Sequence, residues 1–183
     1  MHPPPAPSIG LNEIDKLAAP VAEARDSPEW LHRWAQDVLA SIDRGTHLAV
    51  MSGPYLGLLL DGRKTIESRF SRHRVAPFGQ VTAGDVIFFK QTAGPVSAAG
   101  LAGEVRHIEL DKTPLEEVAT RYGEGIAPAD DGFWADRSRA RYATLITMAS
   151  ITTMEPFSIR KRDRRGWVVI AGSATPTAQE ILF

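Results

Sequence analysis

Apolar positions along the chain change texture near residue 47. Before that point Trp30, Leu31, Trp34, Val38, Leu39 and Ile42 recur at helical spacing and form one broad stripe. Ser27-Pro28-Glu29 supplies a helix start and Gly45 a stop, so this stretch predicts an amphipathic helix. Beyond it the apolar runs are short. Residues 47–51 read as a strand, Ser52-Gly53-Pro54 as a turn, and residues 55–60 as a brief helix closed by Asp61-Gly62. Residues 64–70 alternate as a strand does, and Gly84-Asp85 is a turn that feeds a β-branched and aromatic strand over 86–90. A longer strand over 98–110 carries two glycines that predict bends or bulges. Thr113-Pro114-Leu115-Glu116 has the form of a capping box opening a helix to about residue 122. Strands over 142–154 and 167–170 complete the pattern. Short strands, few helices and no alternation of strand with helix predict an α+β fold: a small closed or half-closed β-barrel with flanking helices and an N-terminal helical extension.

Length and composition narrow the classes. A chain of 183 residues suits one domain with appendages, and 43% hydrophobic with 23% charged residues is a globular profile. The expected division is a Pro-rich leader and helical extension over 1–46, the domain over 47–172, and a tail over 173–183. Cysteine is absent, which excludes disulfides, thiolate metal sites and Cys nucleophiles. The longest apolar run is far shorter than the roughly 20 residues of a membrane span, and the start of the chain lacks a basic-then-apolar signal, so a cytoplasmic protein with no membrane association is expected. A formal charge of -1 gives no case for nucleic-acid binding by itself. Charge is unevenly placed, however. Residues 11–46 hold four basic against seven acidic side chains, whereas residues 160–165 net +4. No phosphate loop, nucleophile elbow or His-based zinc motif occurs, and neither a cofactor nor a metal is expected.

The densest chemistry lies in Gly62-Arg63-Lys64-Thr65-Ile66-Glu67-Ser68-Arg69. In an extended strand Glu67 and Arg69 share a face, and Lys64 can join them from the preceding turn. Arg offers a planar fork, Lys a mobile charge and Glu an acceptor for amino groups, a trio suited to a phosphate or a polar base edge. Its plain alternative is a solvent-exposed ion cluster.

These residues resemble the signature of the ASCH family, a branch of the PUA-like superfamily: G-x-K-x-x-E-x-R, then a Gly-Asp turn and an apolar strand. Gly62, Lys64, Glu67 and Arg69 fit the signature, Gly84-Asp85 the turn, and residues 86–90 the strand. The resemblance spans about residues 47–110 and implies a PUA-like β-pseudo-barrel. It also implies a cleft beside the motif that handles RNA or modified nucleosides, by binding or as a ribonuclease or amidohydrolase. The amidohydrolase branch carries a threonine where this chain has Glu67, so the hydroxyl expected of a deacylase is missing. Thr65 and Ser68 are out of register with that position.

Other candidates follow from residue chemistry. Tyr55 can stack a base or donate its hydroxyl, and can equally anchor its short helix. Arg69, Arg72, His73 and Arg74 form one basic stretch, and Arg162 and Arg165 belong to another; together they would make a phosphate track. Arg137, Arg139 and Arg141 would align if extended. Trp134 beside Asp131-Gly132 is the candidate exposed stacking ring, whereas Trp30, Trp34 and Trp167 read as core. His73 would act as a base if partly buried among arginines. The resulting expectation is a module binding RNA or a modified nucleoside, with Lys64, Glu67 and Tyr55 as the candidate catalytic groups if it is a metal-independent hydrolase. A protein-interaction domain using the helical arm is the third reading, and the oligomeric state is left open.

Overall fold

The computed structural model describes residues 44–159 and 165–171. The predicted N-terminal helix with Trp30 and Trp34, and most of the basic run that includes Arg162, lie outside these residues. The described elements are β1 (Thr46–Met51), α1 (Tyr55–Leu60), β2 (Ile66–Ser71), β3 (Val86–Gln91), β4 (Val96–Glu109), α2 (Leu115–Ile126), a 3-10 turn (Ala135–Arg137), β5 (Tyr142–Phe157) and β6 (Trp167–Ala171). The strands form one mixed sheet in the order β2-β5-β4-β3-β1-β6, curved into the half-barrel of a small α+β pseudo-barrel. Among the described strands only β1 and β3 run parallel; every other pair is antiparallel.

Period-two alternation explains the cores. Ala49, Met51, Ile87 and Phe89 face one side with Leu56, Leu59 and Trp167, while Leu48, Val86 and Phe88 face the other with Val96, Ala99 and Leu101. A third cluster seats α2 on the sheet through Val118, Ile126, Phe133 and Leu145. Of the two glycines expected to bend β4, Gly103 lies within the β4–β5 register shift between Ala102 and Val105, whereas Gly100 stays in register with Ile151, just ahead of the shift between Leu101 and Ala102.

Two sequence expectations about α2 need correction. The capping box is not formed: Pro114, with ψ 150°, occupies the cap position and displaces Thr113 one residue outward, and no side chain caps the helix. The helix also continues past Tyr122 to Ile126, because Val118, Tyr122 and Ile126 form an i, i+4, i+8 stripe against the sheet. Among the described residues, no helix is long and apolar enough to cross a membrane.

The Gly84-Asp85 turn clamps the start of β1. Asp85 is buried and accepts from Gly45 N (3.0 Å), Thr82 N (2.8 Å) and Thr82 Oγ1 (3.2 Å). The indole of Trp167 donates to His47 Nδ1 (3.3 Å), which leaves Nε2–H to donate to Asp85 Oδ2 (3.0 Å). Burial raises the carboxyl pKa, but the hydrogen bonds from His47 and Thr82 outweigh it and hold it below the ordinary value. A folded carboxyl pKa below the unfolded one stabilises in full above the unfolded value, near pH 4, and loses that contribution as the pH falls through the folded value. Asp85→Asn is therefore expected to lose about 1–3 kcal/mol in urea unfolding at pH 7, with the gap to the parent narrowing below about pH 4. A gap of equal size at pH 7 and pH 3 would contradict this.

Candidate functional site: a pocket at the seam of the half-barrel

The candidate side chains are positioned by a short strap between α1 and β2. Gly62, at φ +78°, turns the chain out of α1, a conformation that favours glycine. Lys64 N then donates to Leu58 O (2.8 Å) and Thr65 N to Gly125 O (2.9 Å), tying the strap to both helices. Gly125 permits this approach, since a Cβ there would lie 2.8 Å from Ile66 Cδ1 and 2.9 Å from Thr65 Oγ1. The end of α2 thereby delivers the Ile126 carbonyl to Lys64.

Lys64 and Glu67 are each only 3% exposed, so they are not a solvated surface cluster. Lys64 Nζ donates to Ile66 O (2.7 Å) and Ile126 O (3.1 Å) and lies 3.4 Å from Glu67 Oε2. Burial pulls the lysine pKa down by more than Glu67 restores, and the charges of Arg69 and Arg137 lower it further. The other carboxylate oxygen of Glu67 is 2.7 Å from Arg69 Nε, too oblique for a directed hydrogen bond, so this contact is an ion pair. Arg69 donates from Nη1 to Gly166 O (3.1 Å) and from Nη2 to Val50 O (3.0 Å), with Met51 Sδ 3.4 Å away. Its guanidinium lies over the Trp167 ring at 5.3 Å.

Those bonds matter topologically. β2 and β6 are the two ends of the sheet, and Arg69 on β2 reaches β1 and the residue before β6, bridging the seam where the barrel is open. A cavity of about 410 Å³ opens at this seam, with Lys64, Glu67, Ser68 and Arg69 in its lining. Tyr55, Phe70 and Phe133 wall it, the Phe133 ring 6.2 Å from each of the other two. Lys64 Nζ sits 5.5 Å from the Tyr55 ring, and the Tyr55 hydroxyl accepts from Ala129 N (3.3 Å), leaving its own O–H to donate. Arg137 and Asp136 complete the rim.

Other sequence candidates lie elsewhere. Arg72, His73 and Arg74 are exposed and outside the pocket; Arg74 pairs with Glu109 and lies over Tyr142 at 5.4 Å. The exposure of His73 removes the partly buried setting in which it would act as a base. Trp134 is half-buried, packed edge-on against Phe133 (4.9 Å) and Phe70 (6.0 Å), and borders a separate groove with Pro114, Leu115 and Ala119. Arg137, Arg139 and Arg141 are not aligned: Arg137 ends the 3-10 turn while Arg139 and Arg141 are exposed. Arg165 is exposed next to Gly166, and Trp167 is core at 3% exposure. Sequence reasoning missed Phe133 as a wall and Arg137 as a rim residue. The available signal was their i, i+4 spacing after the Asp131-Gly132 turn, which places both on one side if the turn is helical.

No family model and no curated protein matches the chain. Among solved structures it is similar to ASCH from Zymomonas mobilis at 13% identity, over 62% of this chain and 73% of that one, with a TM-score of 0.50. The fold is that of the ASCH domain. A Tyr-to-Phe variant of the same Zymomonas protein is similar at 14% identity, over 63% of this chain and 77% of that one, and a Ser-to-Ala variant at 15%, over 63% and 75%, each with a TM-score of 0.50. At such identity the likeness to ASCH is one of fold.

Lys64 is a partner in a buried ion pair, and removing it leaves Glu67 with Arg69 alone and two carbonyls without their donor. Lys64→Ala is expected to lower unfolding stability by about 3–5 kcal/mol. A loss under about 1 kcal/mol, the scale of an exposed pair, would contradict the geometry.

Proposed function

We propose that this ASCH-fold chain binds RNA or a modified nucleoside by taking one base into the seam pocket. The observation that carries the reading is a buried Lys64–Glu67 pair forming a polar floor beneath the aromatic walls of Tyr55, Phe70 and Phe133. Ligand pockets commonly hold roughly 300–1,000 Å³, and this cavity falls in the range that suits a single nucleoside. Glu67 retains lone pairs beyond those facing Lys64 and Arg69, so it accepts from an amino or imino N–H of a base edge. The rings supply stacking, which is tolerant of base identity, and splayed single-stranded bases are the form in which RNA offers itself to such a site.

A second reading is favoured by the lowered pKa of Lys64: a hydrolase acting on a phosphodiester or on an acylated base. There Tyr55 or Glu67 moves the proton, while Lys64 stabilises the developing negative charge.

Both readings are tested by fluorescence anisotropy of the full chain with labelled single-stranded RNA in chelator, alongside chromatography of RNA and acylated cytidine after incubation. Binding without product is expected. Tyr55→Ala should weaken binding about 5- to 100-fold, the equivalent of one lost stacking ring. Product formation that Tyr55→Phe abolishes would replace the binding reading with the hydrolytic one. Affinity unchanged by both Tyr55→Ala and Phe133→Ala would remove the pocket from the account.

A further inference from the structure

Three cations border the seam pocket, and the protein engages them to different degrees. Lys64 directs its ammonium to two carbonyls and Glu67. Arg69 commits its guanidinium to Gly166, Val50, Met51 and Glu67. Among the described residues Arg137 makes one hydrogen bond, from Nη1 to Phe133 O (2.6 Å). Its guanidinium carbon lies 3.4 Å from the centroid of the Phe133 ring and 5.7 Å from that of Phe70. Stacking fixes the plane of the fork and leaves its remaining N–H edge without a hydrogen-bonded partner among the described residues.

Arg137 is half-buried, yet no carboxylate among the described residues comes within ion-pair distance of it. Asp136 and Asp130 favour its charge only from farther away, with Tyr55, and burial lowers its pKa against them. Burying a charge is costly unless it is paired, and a guanidinium stays protonated throughout the working range of pH. A planar cation held flat, partly dehydrated and open along one edge matches the geometry of a phosphate, which accepts two parallel N–H bonds.

We propose that Arg137 is the docking group for a phosphate carried by the ligand, so that the pocket takes a nucleotide, as a monophosphate or a phosphodiester unit, in preference to an uncharged nucleoside. This rests on the reading of the pocket as a base site. In that arrangement the aromatic walls and Glu67 hold the base while Arg137 fixes the phosphate at the rim.

Calorimetric titration of the full chain with the four ribonucleosides, their 5′- and 3′-monophosphates and inorganic phosphate tests this. At least one monophosphate should bind about tenfold or more tightly than its nucleoside, with the difference shrinking as salt rises. Arg137→Gln should abolish that difference while nucleoside binding persists, and Arg137→Lys, which keeps the charge and loses the fork, should restore only part of it. Equal affinity for nucleoside and monophosphate would overturn the inference and leave the base pocket standing. A difference that survives in Arg137→Gln would overturn it too, as would inorganic phosphate competing as well as a monophosphate. Absence of binding by every nucleoside and nucleotide would take the base pocket down with it.

Discussion

A half-barrel must do something with its open seam, and among the described residues Arg69 spans it. Arg69 projects from the edge strand β2, holds carbonyls on β1 and just before β6, and lies over the Trp167 ring. Glu67, two residues earlier on the same face, sets the guanidinium from behind and at the same time holds Lys64. Removing the carboxylate would leave two cations facing each other in a partly dehydrated space, so the acid at the centre of the motif is a structural requirement before it is a chemical one. The pocket exists because this bridge draws the edges together beside it without closing them over it.

The same bridge divides labour among the cations. Lys64 and Arg69 form part of the framework and contribute their field, while the rim arginine, brought in by the 3-10 turn that follows α2, keeps most of its donors among the described residues. Aromatic side chains come from three separate places, the start of α1, β2 and the turn after α2, and meet only because α2 is strapped to residue 65. A tyrosine, two phenylalanines, one buried acid and one open guanidinium make a chemically mixed hollow that suits a ligand with a flat polar ring and an anionic group better than a purely apolar or purely anionic one.

The strand that carries the motif was legible because a period of two leaves no freedom: once residues 66–71 are extended, Glu67 and Arg69 must share a face. Lys64 has the wrong parity for that face and joins it because the chain at residue 64 is still in the turn, bonded back to Leu58. The rest of the pocket was not legible for a physical reason. Phe133 and Arg137 lie more than 60 residues from the motif, and an Asp-Gly pair announces a turn without saying which neighbouring ring turns inward. The larger Trp134 drew attention, but the 3-10 turn that follows it points Phe133 into the cavity and leaves Trp134 packed on the outer side of that ring. Arg72 and Arg74 show that density of charge along a chain is not convergence in space: they follow the motif in sequence, yet the turn after β2 carries them out of the pocket. Thr113 and Glu116 failed as a capping box because the proline between them took the cap position.

Amide chemical-shift mapping of the isotope-labelled full chain during titration with a short single-stranded RNA tests most directly whether a base enters at the seam, above the Lys64–Glu67 floor. The largest shifts are expected in residues 50–55, 64–70 and 133–137. Shifts confined to the exposed turn around Arg72 and Arg74, or to the groove beside Trp134, would contradict it.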